Sequence, residues 1–269
     1  MTGLERIAGA FERARADGRD AALMPYLMGG YPDLDTSYQI GLAYVRGGAD
    51  LIELGVPFSD PLADGPVIHA AATAALRGGV RLREILSLAG ELADHVPVIV
   101  MSYANPILAY GVESFADALV QAGCGGLIVP DLPAEEAGPI LETLDSRGVA
   151  LVPLVAPTTT DERLAGIGSS ARGFVYVVSV TGTTGERASS EDALAGLIAR
   201  ARSRTTVPVA VGFGIGTPAQ ARAAAAAGAD GVIIGSRLVR CVREEREPVK
   251  AVQRQVHAFA TALAAQPTG

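Results

Sequence analysis

Residues 50–66 read DLIELGVPFSDPLADGP. Leu51, Ile52, Leu54 and Val56 describe a buried strand, and Glu53 is a carboxylate set inside it. Such a group rarely sits in an apolar run unless something compensates its desolvation. The loop that follows holds Pro57, Asp60-Pro61 and Asp64-Gly65, so it turns sharply and is stiffer than its length suggests. Beyond it an Ala-rich helix is expected from about Pro66 to Leu76. The unit places Glu53 at a strand mouth and Asp64 on the loop above it. Two acids in such different surroundings can hold different pKa values, as acid–base chemistry requires. A strand-end Glu bonded to backbone and a helix-capping Asp would read the same way in sequence. The rest of the chain has to decide.

Outward from this unit, apolar runs of strand length alternate with segments of helical period. The strands are expected at Ala22–Met28, the opening stretch, Val96–Ser102, Gly126–Pro130, Ala150–Val155, Phe174–Val180, Val207–Val211 and Gly231–Ile234. Helices are expected at about Asp35–Val45, Pro66–Leu76, Phe115–Ala122, Glu135–Ser146, Asp161–Ile167, Glu191–Ala201 and Pro218–Ala227. An amphipathic helix precedes the first strand, an extra helix at Leu82–Asp94 precedes the third, and the tail is helical from about Glu244 to Ala264. Eight strands alternating with helices across short Gly-marked turns predict a single (β/α)8 TIM barrel covering residues 1–269. An open doubly wound sheet uses the same alternation. An internal echo favours the barrel: Gly48-Ala49-Asp50 and Gly228-Ala229-Asp230 each end a helix and begin a strand, and Gly123-Cys124-Gly125 resembles them. In a barrel all loops that follow strands share one face, where chemistry is expected, and Glu53 and Asp64 sit on it.

Composition narrows the chemistry. Hydrophobic residues make up 49% and charged residues 19% of 269, enough for a large core and against disorder. A net charge of −7 offers no basic field for nucleic acid, so a phosphorylated ligand must be held by local backbone groups. Lys250 is the only lysine, and no strand carries one, which excludes a Schiff base on the barrel. Cys124 and Cys241 lie far apart in apolar segments and read as buried thiols of a reducing compartment. His69, His95 and His257 lack ligand spacing, so no metal is expected. The charged N-terminal helix has no apolar signal core, and no run approaches the ~20 apolar residues that span a bilayer. A soluble, cytoplasmic protein is expected.

Three Gly-rich segments follow late strands: Thr181-Gly182-Thr183-Thr184-Gly185, Gly212-Phe213-Gly214-Ile215-Gly216 and Gly235-Ser236. Glycines let backbone N–H groups approach an anion, and a following helix N-terminus adds its dipole. Barrels commonly bind phosphate with the loops after strands seven and eight, where the last two segments fall. Gly212-Phe213-Gly214 does not fit a dinucleotide fingerprint, because the third glycine and the acidic residue are missing.

Taken together, LIELGVPFSDPLADGP at 51–66, MSYANPI at Met101 to Ile107, LIVPDLPAEE at Leu127 to Glu136, VYVVSVTGTTG at Val175 to Gly185, VGFGI at Val211 to Ile215 and GVIIGS at Gly231 to Ser236 resemble the tryptophan synthase alpha-chain family over essentially the whole length. The resemblance implies retro-aldol cleavage of indole-3-glycerol phosphate to indole and glyceraldehyde 3-phosphate, without metal or organic cofactor in this chain. It implies Glu53 as the proton-transferring carboxylate and Asp64 as the acid that hydrogen-bonds the indole N–H. By the same resemblance, Tyr176 lies near the substrate glycerol and Glu53. Tyr26, Met101, Tyr103, Ile128, Leu154 and Phe213 form the indole pocket. Gly185, Gly214, Gly235 and Ser236 hold the phosphate, and Thr184 closes over the site. Family members pair with a pyridoxal-phosphate β chain in an α2β2 assembly, and Asp60, Pro61, Asn105 and Gly182 lie where partner contacts are made.

Four positions depart from the family pattern. Met28-Gly29 replaces a more usual Thr-Ala pair, His69 stands where Gln is typical, and Thr183 where Val is common. Met28 is expected at the barrel mouth beside the indole pocket, and His69 on a helix surface. Other readings of the same scaffold are a free-standing indole-3-glycerol-phosphate lyase, a phosphosugar isomerase or epimerase, and a non-catalytic binding module. The isomerase leaves the apolar pocket unexplained, and a binding module has no use for two acids beside it.

Overall fold

The computed structural model describes residues 1–178, 187–212 and 214–265. Its strands are β1 (Ala22–Met28), β2 (Ile52–Gly55), β3 (Val98–Met101), β4 (Gly126–Ile128), β5 (Ala150–Val152), β6 (Leu154–Val155), β7 (Val175–Val178), β8 (Val209–Gly212) and β9 (Gly231–Ile234). All pair parallel in the order β5-β4-β3-β2-β1-β9-β8-β7-β6. The two ends of that list, β5 and β6, are consecutive pieces of one extended segment broken at Pro153. Proline has no N–H to give a ladder, so the strand expected over Ala150–Val155 splits there. Ala150 N–H donates to Gly125 on one side, and Tyr176 N–H donates to the Pro153 carbonyl (2.9 Å) on the other. The sheet therefore closes on itself as an eight-stranded barrel, and the open doubly wound sheet is ruled out.

Side chains along β1 alternate between two faces, and both are buried. Met24 packs inside the barrel with Leu51, Ile99, Ile128, Val152, Phe174, Tyr176 and Ile233, while Leu23 and Leu27 pack outward under the helices. Glu53 holds an inward position of β2, in register with Tyr26 of β1 and Ile99 of β3. The floor is closed by α1 (Gly3–Ala16), whose Thr2–Glu5 capping box fixes its start and whose Ile7 and Phe11 enter the barrel. Phe11 meets Phe174 with ring centroids 6.0 Å apart. The Gly-Ala-Asp echo has a physical basis here. Gly48 and Gly228 end helices at φ 99° and 98°, a region open to glycine. Each following Asp then accepts a strand N–H and an arginine: Asp50 from Leu23 and Arg19, Asp230 from Val209 and Arg202.

Outside the barrel run α2 (Leu34–Gly47), α4 (Leu82–Ala93), α6 (Val112–Gln121), α7 (Gly138–Asp145), α8 (Asp161–Ser170), α9 (Arg187–Arg202), α10 (Pro218–Ala226) and α12 (Pro248–Leu263). Helix α12 packs on α2 and completes the ring. Of the two helices between β2 and β3, α4 belongs to this ring, packing on α2 and α6. The other, α3 (Pro66–Arg77), packs on β1 and α11 (Ser236–Glu244). Two helices were not foreseen from sequence, α5 (Ala104–Tyr110) and α11. The tail expected as helical from about Glu244 is helical only from Pro248. Its residue Glu247 sits at φ −119° and ψ 71°, out of the helical region as a residue before proline prefers. Helices α3, α5 and α11 all follow strand ends and so crowd the face where the loops lie. Among the described residues no helix is long and apolar enough to cross a membrane.

Candidate active site

Both bland explanations of the two acids fail on geometry. The Glu53 side chain is 1% exposed, and neither carboxylate oxygen has a hydrogen-bond partner, so it is not a strand-end group bonded to backbone. Asp64 does not cap α3, because the N-cap is Gly65 and no side chain caps that helix. Glu53 and Asp64 instead line one cavity of about 460 Å³ on the loop face. Tyr26, Met101, Tyr176, Ile68 and Ile233 supply its apolar wall, and Gly214, Gly235 and Ser236 its far end.

Their protonation states differ, and burial is the first cause in both. Burial raises Glu53 from 4.5 to about 8, and the Asp64 charge adds to the rise. Burial raises Asp64 from 3.8 to about 6, against a hydrogen bond from Tyr103 and the charge of His69, which both pull it down. Near neutrality Glu53 is therefore protonated and Asp64 ionised. Tyr26 and Tyr176 are pushed well above the phenol range, first by burial and then by the two acids, so their hydroxyls stay protonated donors.

The tyrosines fit because glycines stand beside them. A Cβ at Gly55 would overlap the Tyr26 hydroxyl, and one at Gly212 the Tyr176 hydroxyl. Tyr103 acts differently from its expected place in the pocket wall. Its hydroxyl accepts the Ala63 N–H (3.0 Å) and bonds Asp64, while its ring stacks on Phe58 at 5.2 Å. It thus ties the β2–α3 loop to the start of α5. Ile128 and Leu154 do not line the cavity. Ile128 is fully buried in the barrel cluster, and Leu154 packs on that cluster and faces a separate cavity of about 500 Å³ between α7 and α8.

At the far end Gly214 has φ 79°, and Gly235 is the N-cap of α11, whose first N–H groups have no partner within the helix. Ser236 opens that helix, and Arg237 and Arg240 on its first turns also face the cavity. Reading the sequence for backbone anion binding passes over these arginines, although Arg237 directly follows the Gly-Ser pair and Arg240 comes three residues later. Thr217, which caps α10, lines the same end. Met28 is buried with Tyr26, Ile68 and Val239 beside the site, and His69 is exposed on α3. Asp60 and Asn105 are exposed and Pro61 is half-buried. Gly182, Thr183, Thr184, Gly185 and Phe213 fall outside the described residues.

A sequence profile described as tryptophan synthase alpha chain matches residues 11–267. The chain belongs to the tryptophan synthase alpha chain family. It is 47% identical over 260 residues to the alpha chain of Synechococcus elongatus, covering 93% of this chain and 97% of that one. To the alpha chain of Prochlorococcus marinus strain MIT 9313 it is 50% identical over 238 residues, with 87% and 86% covered. Among solved structures, tryptophan synthase of Mycobacterium tuberculosis superposes with a TM-score of 0.89 at 41% identity, covering 97% and 99% of the chains. The alpha chain of Legionella pneumophila gives 0.88 at 32% identity over the full length of both. As a family member this chain is a lyase of tryptophan biosynthesis that cleaves indole-3-glycerol phosphate, and it is a subunit of a complex with a β chain.

Proposed function

We propose that Glu53 and Asp64 carry the retro-aldol cleavage, with the chain working as one barrel domain. The single observation behind this reading is the buried Glu53 carboxyl with no partner on either oxygen, aimed into an apolar cavity. Such a group is costly unless a ligand completes it. Protonated Glu53 delivers its proton to C3 of the indole ring, and positive charge develops on the ring nitrogen. Ionised Asp64 accepts the indole N–H and stabilises that charge. The Glu53 carboxylate then takes the proton of the hydroxyl on the adjacent carbon. The C3–carbon bond breaks, its electron pair returns to the ring, and indole and glyceraldehyde 3-phosphate leave. Glu53 ends protonated and ready for the next turnover. General acid–base transfer supplies about 10²–10⁴-fold, and positioning in the cavity the rest.

Tyr26, Met101 and Tyr176 form the wall against which the indole and glycerol lie, with Ile128 and Leu154 behind it and Tyr103 holding Asp64. Gly214, Gly235 and Ser236 take the phosphate together with Gly185, while Thr184 and Phe213 complete the enclosure. Partner docking falls to the loop at Asp60 and Pro61, to Asn105 and to Gly182. Leu62 is 92% exposed beside Asp60 and Pro61, and Leu108, 61% exposed, shares α5 with Asn105, an apolar display suited to burial by a β chain. The assembly is α2β2, the pyridoxal phosphate resides in the partner, and the complex works in the cytoplasm.

The test is indole release from indole-3-glycerol phosphate, with and without a β chain, beside Glu53→Gln and Asp64→Asn. Indole that rises sharply with the partner and is lost in both variants supports the reading. Strong release unchanged by the partner identifies a free-standing lyase. No indole from a folded chain that still binds glycerol 3-phosphate sinks the assignment.

A further inference from the structure

The far end of the cavity holds more positive charge than backbone N–H groups supply. The geometry points to Arg237 and Arg240 as a cationic clamp on the substrate phosphate, an inference that rests on the proposed reaction. Both side chains line the same cavity as Glu53, and the unpartnered Glu53 carboxyl independently marks that cavity as a ligand site. Both are exposed, and neither takes part in an ion pair or side-chain hydrogen bond among the described residues. The arginines of the barrel floor and wall differ: Arg19 pairs with Asp50, Arg147 with Asp117, Arg200 with Asp161 and Arg202 with Asp230. On α11 itself the next arginine, Arg243, pairs with Glu244.

Their place on the helix sharpens the case. Arg237 is the second residue of α11 and Arg240 lies one turn on, on the same face. Cations are disfavoured at the positive end of a helix, and two of them three residues apart repel each other. A dianion between them satisfies the dipole, the open N–H groups and both guanidinium groups at once. The planar fork of arginine matches phosphate oxygens, which lysine as a point charge does not. A chain of net charge −7 needs such a local source of positive potential to draw in a phosphate monoester. The clamp selects for the phosphorylated glycerol and contributes affinity, while the proton transfers at Glu53 remain as they are.

The experiment measures calorimetric binding of glycerol 3-phosphate and steady-state indole release for the wild-type chain, Arg237→Ala, Arg240→Ala, the double variant and Arg237→Lys. Arg243→Ala is the control on the same helix, and thermal unfolding verifies that each exposed substitution leaves the fold intact. Each alanine variant is expected to bind about tenfold more weakly, as for loss of a charge-assisted hydrogen bond. KM for indole-3-glycerol phosphate should rise by the same factor with kcat held, and the salt dependence of binding should become shallower. Arg237→Lys should recover part of the affinity, and Arg243→Ala should match the wild type. Affinity of the double variant within twofold of wild type, with indole release intact, overturns the clamp and leaves the proposed reaction standing. Wild-type chain that binds glycerol 3-phosphate but releases no indole defeats the proposed reaction, and the binding series alone then decides the clamp. Wild-type chain that binds no glycerol 3-phosphate overturns both.

Discussion

Replacing Glu53 by Gln should make the protein more stable, by an amount that grows with pH. The wild-type carboxyl is fully buried and its pKa rises from 4.5 to about 8 on folding. The folded chain therefore holds a proton over that interval which the unfolded chain releases, and stability falls as pH rises. At about 1.4 kcal/mol per pH unit, the loss between pH 4.5 and 8 is on the order of 5 kcal/mol. Gln has nearly the same shape and no proton to lose, so its stability lacks this slope. Urea unfolding of both proteins at intervals from pH 5 to 9 reads the difference directly. The gap between the curves should widen by several kcal/mol and level off above about pH 8. Parallel curves would mean that Glu53 finds a partner or solvent in solution, and the idea of a carboxyl held neutral by burial would fail. Well below pH 4.5 the carboxyl is uncharged in the folded and the unfolded chain, and the variant should differ from wild type by little.

Three further outcomes follow from the same geometry. Tyr103→Phe removes the hydroxyl that bonds Asp64 and holds Ala63 at 3.0 Å. Since that bond lowers the Asp64 pKa, the acid limb of the rate profile should move to higher pH, with kcat reduced by roughly tenfold as for a lost positioning contact; an unmoved limb would sink this role. Gly55→Ala places a methyl group into the Tyr26 hydroxyl, and denaturant unfolding should show a loss of about 1–3 kcal/mol, as for overpacking; an unchanged midpoint would show that Tyr26 moves aside freely. Leu108→Asp puts a charge on the exposed apolar face of α5, so the β-chain concentration needed for half activation should rise at least about tenfold while activity alone is kept; unchanged activation would place the partner elsewhere.

The architecture was largely written in periodicity. β1 and β9 run over the residues expected, because apolar strands bounded by Gly turns have few alternative readings. Pro153 was visible inside an apolar run, yet only the pairing of β5 and β6 with different neighbours tells that the break is the barrel seam. Helix α5 spans 7 residues, too short for a helical period to declare itself. Helix α11 was legible in the Leu238, Val239 and Val242 spacing, but a Gly-Ser turn before it reads equally well as a loop. The same holds at the site. Glu53 stood out as a carboxylate among apolar residues, whereas its missing partners are a property of the folded surroundings. Tyr103 reads as a pocket aromatic in sequence, and its bond to a loop some forty residues earlier exists only once β2 and β3 lie side by side.

The central claim is that Glu53 begins the reaction protonated, and the pH dependence of kcat/KM for indole release tests it most directly. The profile should be a bell, rising as Asp64 ionises near pH 6 and falling as Glu53 loses its proton near pH 8. The acid limb is shared with the substrate phosphate, whose second pKa is also about 6, so the alkaline limb is the decisive one. A fall centred near pH 8 is what the buried, unpartnered carboxyl requires. A rate that stays level to pH 9 would contradict the account, because it would show that the reaction proceeds without a proton on Glu53.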